Sequence, residues 1–252
     1  EDGLVTLSIT TDGTQTGFIY LYSKAGIQYT NVSYGAGTTS FSVDCLAEDT
    51  VAVRITRSSG CGGYSASVSV TPPTLQIDAE PNNVFNETNE TFQVNEDIQG
   101  RLRYFDVDTG TDTEDWYRVV MDEDGELTMT FLSDGSLNGF IYFYRKDGVQ
   151  YNNTSYVAGQ VSTLSLDCIA QDTVYVRFTG NSGCGSYTGS VSVTPPAIDK
   201  DLEPNNVFEQ AQETFQVGED IEGRLGYFDV DTNTDTEDWY KVVLDEDGQV
   251  TL

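Results

Sequence analysis

Oxygen-bearing side chains concentrate in two short stretches of this chain, and their types suit a calcium ion. Glu80, Asn82 and Asn83 lie on a polar connector, and Asp112 and Asp115 precede a Trp-Tyr pair. Calcium takes six to eight oxygens from carboxylates, amides and carbonyls. A connector folded back over the strand that begins at Asp115 would bring these oxygens together, so we expect calcium there. The alternative is that the same residues serve turns and caps.

The same oxygen-bearing positions occur again later in the chain. The recurring candidates are Glu203, Asn205, Asn206, Asp235 and Asp238. A separate stretch, 229–235, alternates acidic and amide residues like the start of a calcium loop. It lacks the glycine at the sixth position and the glutamate at the twelfth, so it is not an EF-hand. A solvated acidic hairpin is the alternative for that stretch.

Four cysteines form two pairs with equal spacing, Cys45 with Cys61 and Cys168 with Cys184. Four cysteines allow three connectivities, and the repetition favours disulfides within each pair. Each bond would close a loop of about 17 residues, contribute roughly 3 kcal/mol by chain entropy, and indicate an oxidising compartment. Zinc is the alternative, although each pair offers only two thiols and the chain has no histidine.

The cysteines and the acidic motifs belong to a longer repetition. The Glu-Asp-Gly motif at 1–3 returns at 123–125 and 246–248, and the Glu-Pro-Asn-Asn motif at 80–83 returns at 203–206. A period of this length indicates a duplicated domain rather than a solenoid turn. Boundaries are expected at the Pro-Pro pairs, because proline ends a strand and stiffens the linker after it. The predicted units are the later part of a first repeat (1–73), a complete repeat (74–196) and the opening part of a third (197–252).

We expect this chain to be a window cut from a longer array of such repeats. The alternative is a subunit whose two half-domains complete each other between neighbouring chains. That alternative would supply the Glu-Asp-Gly strand twice.

Short runs of Val, Thr, Tyr, Ser and Ile between Gly and Asp turns predict an all-β fold. Expected strands are 4–10, 17–24, 27–30, 41–46, 51–56, 64–71, 97–105, 115–121 and 127–131. Many short strands with regular turn signals are typical of a β-sandwich or jelly roll. We therefore predict tandem β-sandwich domains of about 120 residues, a size that supports its own core.

Two predicted strands carry aromatic residues on alternate positions. The candidate contact residues are Tyr20, Tyr22, Tyr142 and Tyr144. If Ile19 and Leu21 point to the core, these tyrosines form a platform for glycan, protein or a neighbouring subunit. We favour the alternative, in which the partner sheet covers one face and loops cover the other.

Charge and composition exclude several classes of function. The net charge is −29, with 41 acidic and 12 basic residues, which argues against nucleic acid and anionic membranes as partners. No apolar run approaches the roughly 20 residues that span a bilayer, so no membrane insertion is expected. The absence of histidine from the sequence removes Ser-His and Cys-His nucleophile chemistry, so we expect no enzyme.

Five sequons could accept N-glycans if the host has the machinery. They are Asn31, Asn86, Asn89, Asn152 and Asn153, and we expect all of them in exposed loops.

Three landmarks in fixed order resemble the bacterial pre-peptidase C-terminal domain. They are Glu-Pro-Asn-Asn at 80–83, Asp-Trp-Tyr at 115–117 and Asp-Gly at 124–125, and the set recurs at 203–206, 238–240 and 247–248. The resemblance implies an exported, non-catalytic β-sandwich module, located outside the cell or at its surface. The sequence departs from the family in its cysteines and in an inserted stretch at 106–113.

Some members of that family, the collagen-binding domains of collagenases, bind calcium and collagen. For the connector, the resemblance maps calcium ligands to Glu80, Asn82, Asn83 and Asp115, with a second set at Glu203, Asn205, Asn206 and Asp238.

We therefore expect a structural repeat of a long extracellular fibre, stalk or surface filament, stiffened by calcium at its connectors. Its partners would be neighbouring repeats or copies of itself. The alternative is a module of a secreted adhesin or hydrolase that binds glycan or matrix protein through the tyrosine face or the metal rim.

Overall fold

The computed structural model describes residues 3–46, 50–73, 82–88, 90–106, 110–198, 202, 205–227, 236–244, 247 and 251. The described chain is all-β, with two single-turn 3-10 helices at Phe85–Glu87 and Phe208–Gln210. No helix in these residues is long and apolar enough to cross a membrane.

The described residues form nineteen strands. They are β1 (Gly3–Thr11), β2 (Thr16–Ser23), β3 (Gln28–Tyr34), β4 (Gly37–Leu46), β5 (Val51–Ser59), β6 (Tyr64–Thr71), β7 (Thr91–Gln93), β8 (Asp97–Leu102), β9 (Phe105–Asp106), β10 (Gly110–Thr111), β11 (Glu114–Val120), β12 (Gly125–Ser133), β13 (Asn138–Arg145), β14 (Gln150–Tyr156), β15 (Val161–Ile169), β16 (Thr173–Ser182), β17 (Gly185–Thr194), β18 (Thr214–Gln216) and β19 (Lys241–Val243).

The second sandwich, formed by β7, β8 and β11–β17, has two complete sheets. One sheet has the order β15-β12-β17-β8, and the other has the order β14-β13-β16-β11-β7. Burial alternates along each strand because every second side chain faces the partner sheet. On β12, Leu127, Met129 and Phe131 are fully buried, and the residues between them point outward. One apolar core fills the space between the sheets.

The first sandwich, formed by β1–β6, repeats the central pairings of the second. Strand β1 lies between β4 and β6 as β12 lies between β15 and β17, and β2 lies between β3 and β5 as β13 lies between β14 and β16. Within the described residues, β5 and β6 are edge strands, because neither a β11-like nor a β8-like strand pairs with them. Two small apolar clusters take the place of one continuous core.

Residues 205–244, here called the C-terminal segment, repeat the beginning of the second sandwich. Strand β18 pairs in parallel with β19 as β7 pairs with β11. The Phe208 ring stands edge-on to Trp239 with ring centres 5.8 Å apart, and Phe85 meets Trp116 in the same way at 5.5 Å. The repetition in sequence is therefore also a repetition in local structure.

The structure confirms the predicted all-β fold and most of the expected strands, although β7 and β18 were not predicted. The sequons differ from expectation. Asn31, Asn152 and Asn153 are exposed as predicted, but they lie in β3 and β14 rather than in loops, because polar residues occupy the outward positions of these strands. Asn86 is exposed in the first 3-10 turn, and Asn89 lies outside the described residues. The predicted domain boundaries stay predictions.

Candidate functional site at the junction between sandwiches

A β-bulge positions one cysteine at the end of each sandwich. The register between β1 and β4 shifts just where Cys45 adopts a left-handed φ of 64°, and Cys168 does the same on β15 with a φ of 57°. In both bulges the preceding aspartate accepts the cysteine N–H at 2.8 Å, Asp44 in the first and Asp167 in the second. The extra residue of a bulge re-aims its side chain, so each thiol leaves the ladder at the same place.

The other two cysteines lie in hairpin turns at the opposite end of each sandwich. Cys61 is in the turn between β5 and β6, where its carbonyl accepts the Thr14 N–H at 3.1 Å. Cys184 is in the turn between β16 and β17, where its carbonyl accepts the Ser136 N–H at 3.1 Å. The two turns are therefore held in the same manner.

The disulfide joins Cys45 to Cys184, with a Cα–Cα distance of 6.0 Å and a sequence separation of 139. The predicted Cys45–Cys61 and Cys168–Cys184 pairings are wrong for this structure. Leu46 pairs with Gly3 at the start of β1, whereas Cys61 lies beyond the end of that nine-residue strand. At about 3.3 Å per residue, the two ends of β1 are about 27 Å apart. A disulfide requires Cα atoms closer than about 7 Å, so Cys45 cannot reach Cys61.

Hydrogen bonds and a backbone bridge surround the disulfide at the junction between the two sandwiches. The Arg103 guanidinium donates from Nε to the Gly183 carbonyl at 2.9 Å and from Nη1 to the Gly180 carbonyl at 3.0 Å, which fixes the turn that carries Cys184. Burial, followed by the negative charge of Asp44, raises the pKa of Tyr104. A backbone bridge between Leu46 and Phe105 adds β9 to the edge of β4. The junction therefore combines covalent, backbone and side-chain links.

An ion pair joins the second sandwich to the C-terminal segment. Arg224 Nη2 lies 2.9 Å from Asp124 Oδ2, and both side chains are largely buried. Asp124 also accepts the Gln171 N–H at 2.6 Å. Because Gly125 pairs with Ile169, this contact lies at the same end of the sandwich as Cys168.

The predicted oxygen ligands are only partly brought together. Asn82 is almost fully buried. Its backbone carbonyl accepts the backbone N–H of Trp116 at 3.0 Å, so the connector does fold over β11 beside Asp115. The Asp112 carboxylate accepts the Glu114 backbone N–H at 3.4 Å. Asn83 is half-buried.

The later set has the same arrangement where it is described. The backbone carbonyl of Asn205 accepts the backbone N–H of Trp239 at 2.9 Å. Asn206 is half-buried, as is Asp238 beside Trp239. Glu80, Glu203 and Asp235 lie outside the described residues, as does the alternating stretch from 229 to 235.

Asp115 is a fully buried carboxylate in a group of tyrosines. The Tyr187 hydroxyl donates to Asp115 Oδ2 at 2.5 Å, and the Tyr117 hydroxyl lies 2.5 Å from that of Tyr187. Tyr156 donates to the Thr179 carbonyl at 3.0 Å, and burial, followed by the charge of Asp115, raises its pKa well above 10. The acid is thus part of the core's hydrogen bonding.

One group of acidic and sulfur ligand atoms within 4.8 Å of one another occurs in the described residues. It consists of Asp44, Cys45 and Cys184, and the two sulfurs are already bonded to each other. Asp115 joins no such group of acidic and sulfur atoms among the described residues. Calcium binding at the connector stays a prediction.

The tyrosine face, formed by Tyr20 and Tyr22 on β2 and by Tyr142 and Tyr144 on β13, is half-buried and lies on the side of these strands away from the core. Ile19 and Leu21 are fully buried, while Tyr20 and Tyr22 are half-exposed with ring centres 6.1 Å apart. Arg54 lies over the Tyr20 ring at 5.3 Å.

The second sandwich covers more of this face. Trp116 packs on Tyr144 with ring centres 4.8 Å apart, and Arg177 lies over Tyr142 at 5.2 Å. Arg177 is held in turn by Glu114 through its Nε at 2.6 Å. The structure therefore lies between the two alternatives: β11 and its connector cover part of the strip, and the remainder is open.

Comparisons with known proteins give weak structural similarity. No protein-family model matches the sequence, and no curated protein matches it either. The pre-peptidase C-terminal domain of a collagenase from Bacillus anthracis aligns over its full length with 46% of this chain, at 14% identity and a TM-score of 0.36. The PBSX exported protein XepA aligns over 76% of its length with 75% of this chain, at 12% identity and a TM-score of 0.23.

A tandem of two CBM22 domains from Paenibacillus barcinonensis Xyn10C aligns over 80% of its length with 77% of this chain, at 7% identity and a TM-score of 0.24. Because identities and TM-scores are this low, these similarities assign no family and no function to the chain.

Sequence reasoning missed the residues that build the junctions. Arg103 and Arg224 are ordinary charged residues in an acidic chain and no motif marks them, whereas Asp124 belongs to the recurring Glu-Asp-Gly motif but was read only as part of a turn. Tyr187 is the counterpart of Tyr64 in the repeat, but the repetition does not indicate that one is buried and the other exposed. The equal cysteine spacing was the available signal, and it was consistent with pairing between repeats as well as within them.

Proposed function

We propose that this chain is a non-catalytic structural repeat of an extracellular fibre, stalk or surface filament. The observation that carries the proposal is the Cys45–Cys184 disulfide, which ties the end of one sandwich to the beginning of the next. A bond between successive units resists their separation and leaves both outer faces untouched. That arrangement suits a protein whose role is to connect and to extend.

An extracellular location suits the same bond and the charge. Disulfides persist in oxidising compartments and are rare in the cytosol. A net charge of −29 keeps neighbouring molecules apart except where specific contacts are made, and salt of about 0.15 M limits the repulsion to roughly 8 Å.

Electron microscopy of the native material tests this function. Continuous filaments with an axial repeat of one or two domains are expected. Discrete short particles would contradict it, whatever the recombinant chain does in solution.

Calcium would supplement the covalent link by fixing each connector to its own sandwich. This proposal is supported by the position of Asn82, buried beside Asp115. A calcium concentration about 100 times the dissociation constant would stabilise the folded chain by about 2.7 kcal/mol. Titration calorimetry and melting with and without EDTA test it: no heat with an unchanged melting temperature would remove calcium from the proposal.

A glycan- or matrix-binding module is the second candidate, favoured by the open part of the tyrosine strip. Tyr20 beside Arg54 offers a half-exposed aromatic face next to a cation. Binding of glycan or collagen by the isolated chain, abolished by Tyr20→Ala and retained by Tyr142→Ala, would favour this function. A structural repeat does not need to bind either ligand.

A further inference from the structure

An asparagine, a tyrosine and an arginine face one another across three neighbouring strands in each sandwich. We call this arrangement the tyrosine row. Its members are Asn31, Tyr20 and Arg54 in the first sandwich and Asn153, Tyr142 and Arg177 in the second. Directly opposite residues of antiparallel strands have Cβ atoms about 4.5–5.5 Å apart. The asparagine side chain is therefore within reach of the tyrosine ring in both rows.

The arginine and the asparagine approach the tyrosine from opposite sides. Arg177 on β16 lies over the Tyr142 ring at 5.2 Å, whereas Asn153 lies on β14, beyond β13. Within the part of the chain that the structure describes, β14 is the outermost strand of its sheet, as is β3, which carries Asn31. Asn31 and Asn153 are exposed, so an enzyme can reach both amides.

Each of these asparagines begins an N-glycosylation sequon, Asn-Val-Ser at 31–33 and Asn-Thr-Ser at 153–155. The other three sequons are absent from the corresponding positions of the other copy. There, Asn86, Asn89 and Asn152 are replaced by Glu209, Gln212 and Thr30. The sequon is thus repeated only where the asparagine lies opposite a tyrosine.

The two consecutive sequons on β14 lie on opposite sides of the strand. Asn152 pairs with Phe143, which is completely buried, so Asn152 is on the core side of β14. Its Nδ2 donates to the Ser165 carbonyl at 3.5 Å, and its Oδ1 accepts the Asn153 N–H at 2.9 Å. Successive side chains on a strand point to opposite faces, so Asn153 is on the outer face with Tyr142. Only one of these two neighbours is placed to set a glycan on the aromatic rings.

We propose that Asn31 and Asn153 carry N-linked glycans, and that the first sugar of each glycan packs on the ring of Tyr20 or Tyr142. The face of an aromatic ring carries negative charge, which attracts the polarised C–H groups on one face of a sugar ring. Phe140 and Tyr144 extend the surface for further sugars, since each has its ring centre 6.0 Å from that of Tyr142.

Attachment requires export of the chain, as proposed above, but it does not require a fibre. Glycans held in this way would cover the part of the tyrosine strip that the second candidate function uses for an external ligand. The strip would then serve the chain's own glycans.

The covalent step is a group transfer without oxidation. The donor is an oligosaccharide joined through its anomeric carbon to a lipid phosphate, and a membrane-bound transferase supplies it during export. The bond from the anomeric carbon to the phosphate oxygen breaks, and a bond to Nδ2 of the asparagine forms. Nδ2 loses one proton to a base of the transferase, and the lipid phosphate leaves.

The first experiment is glycopeptide mass spectrometry of the native material. Electron-transfer fragmentation assigns the sugar to one residue even where two asparagines are adjacent. We expect sugar on Asn31 and on Asn153. Unmodified Asn153, or sugar on Asn152 in its place, would overturn the proposal. Because the peptides are read in the same way from filaments and from short particles, this result is independent of the proposed structural function.

The second experiment tests packing on the tyrosine with the full chain in a Ser33→Ala background, which leaves only the second row with a sequon. The chain is secreted from a host that N-glycosylates and, for comparison, from a bacterial periplasm without that machinery. Ser155→Ala removes only the Asn153 sequon. In the glycosylating host it should lower the melting temperature by about 3 °C, the shift that one good contact produces in a chain of this size. In the periplasmic protein it should have almost no effect.

Tyr142 variants separate packing from mere attachment through a double-mutant cycle. In a Tyr142→Ala background the loss caused by Ser155→Ala should fall below about 1 °C, whereas Tyr142→Phe should retain the full loss. Thr154→Ala removes only the Asn152 sequon and is the matched control, which should behave alike in both hosts. A loss of equal size with and without the Tyr142 ring would overturn the packing of the sugar on the tyrosine.

Discussion

The two sandwiches place corresponding residues in opposite environments. Tyr64 is 58% exposed and Tyr187 is 1% exposed, although they are equivalent positions near the start of the last strand of each sandwich, β6 and β17. Val68 and Val191 differ in the same way, at 49% and 1%. Residue type and local strand geometry are nearly constant in this comparison. The difference arises from β8 and β11, so burial here is decided by a segment that is distant in sequence rather than by the strand itself.

The cysteines provide the largest test of this contrast. The Cys45→Ser/Cys184→Ser chain should lose about 5 kcal/mol of unfolding free energy, because the bond closes a loop spanning 139 residues and loops of that length restrict the unfolded state most in the chain-entropy model. Urea denaturation of dilute protein measures this loss. The Cys61→Ser/Cys168→Ser chain is the control and should change by less than about 0.5 kcal/mol. Equal losses in the two chains would show that the unpaired thiols also contribute within a single chain.

The tyrosine pair is the next test. Tyr187→Ala should cost roughly 4 kcal/mol, since it leaves a large cavity in a closed core. Tyr64→Ala should cost less than about 1 kcal/mol in dilute protein. Urea denaturation measures both losses, with the fluorescence of Trp116 on β11 reporting on the second sandwich. If Tyr64→Ala proves as costly as Tyr187→Ala, Tyr64 must be covered in solution and the contrast between the two sandwiches fails.

A smaller effect separates the C-terminal segment from the second sandwich. Arg224→Ala should cost about 3 kcal/mol, because it leaves Asp124 in a largely buried position without its counterion. Hydrogen exchange of β18 and β19 measures the resulting release. Arg145→Ala is the control: its pair with Asp147 is more exposed and should contribute at most about 1 kcal/mol. Unchanged protection in Arg224→Ala would mean that the segment is held by other contacts.

The smallest effect is a dependence on alkaline pH. Tyr156 has a folded-state pKa above its ordinary value near 10, so the unfolded chain loses this proton first as the pH rises. Stability from this group is complete below pH 10 and falls by about 1.4 kcal/mol per pH unit above it. Denaturation between pH 9 and pH 11 measures this fall. Tyr156→Phe should lower the slope by one proton, and an unchanged slope would assign the effect to other tyrosines.

Local pattern was sufficient to predict the sheets but not their closure. The β6 prediction matches the structure at both ends because Pro72-Pro73 follows an alternating run. Periodicity also separated Ile19 and Leu21 from the tyrosines between them, but it did not decide which of the two faces is buried. It could not separate Val53 from Val176, because the two carry the same local signal and differ only in what pairs beside them.

The candidate site was harder to predict, because it is built from contacts between distant segments. Asn82 was placed against β11 correctly, since a connector before a strand has few other places to fold. The disulfide prediction failed because equal spacing carries no information about which ends of two sandwiches meet. Asp112 stays a predicted metal ligand, and in the structure its carboxylate accepts the Glu114 backbone N–H.

The Cys45–Cys184 bond also determines how far the chain can stretch under force. A pull transmitted from β1 to β19 passes through the two sulfurs and bypasses everything between them. Unravelling the bypassed residues, 139 positions along the chain, adds no extension, although at about 3.4 Å per residue they represent about 470 Å of contour length. In a single-molecule pulling experiment most of the second sandwich should therefore be silent until a reductant is added. Only the residues before Cys45 and after Cys184 can lengthen the chain under force, so its reach stays short until the bond is reduced.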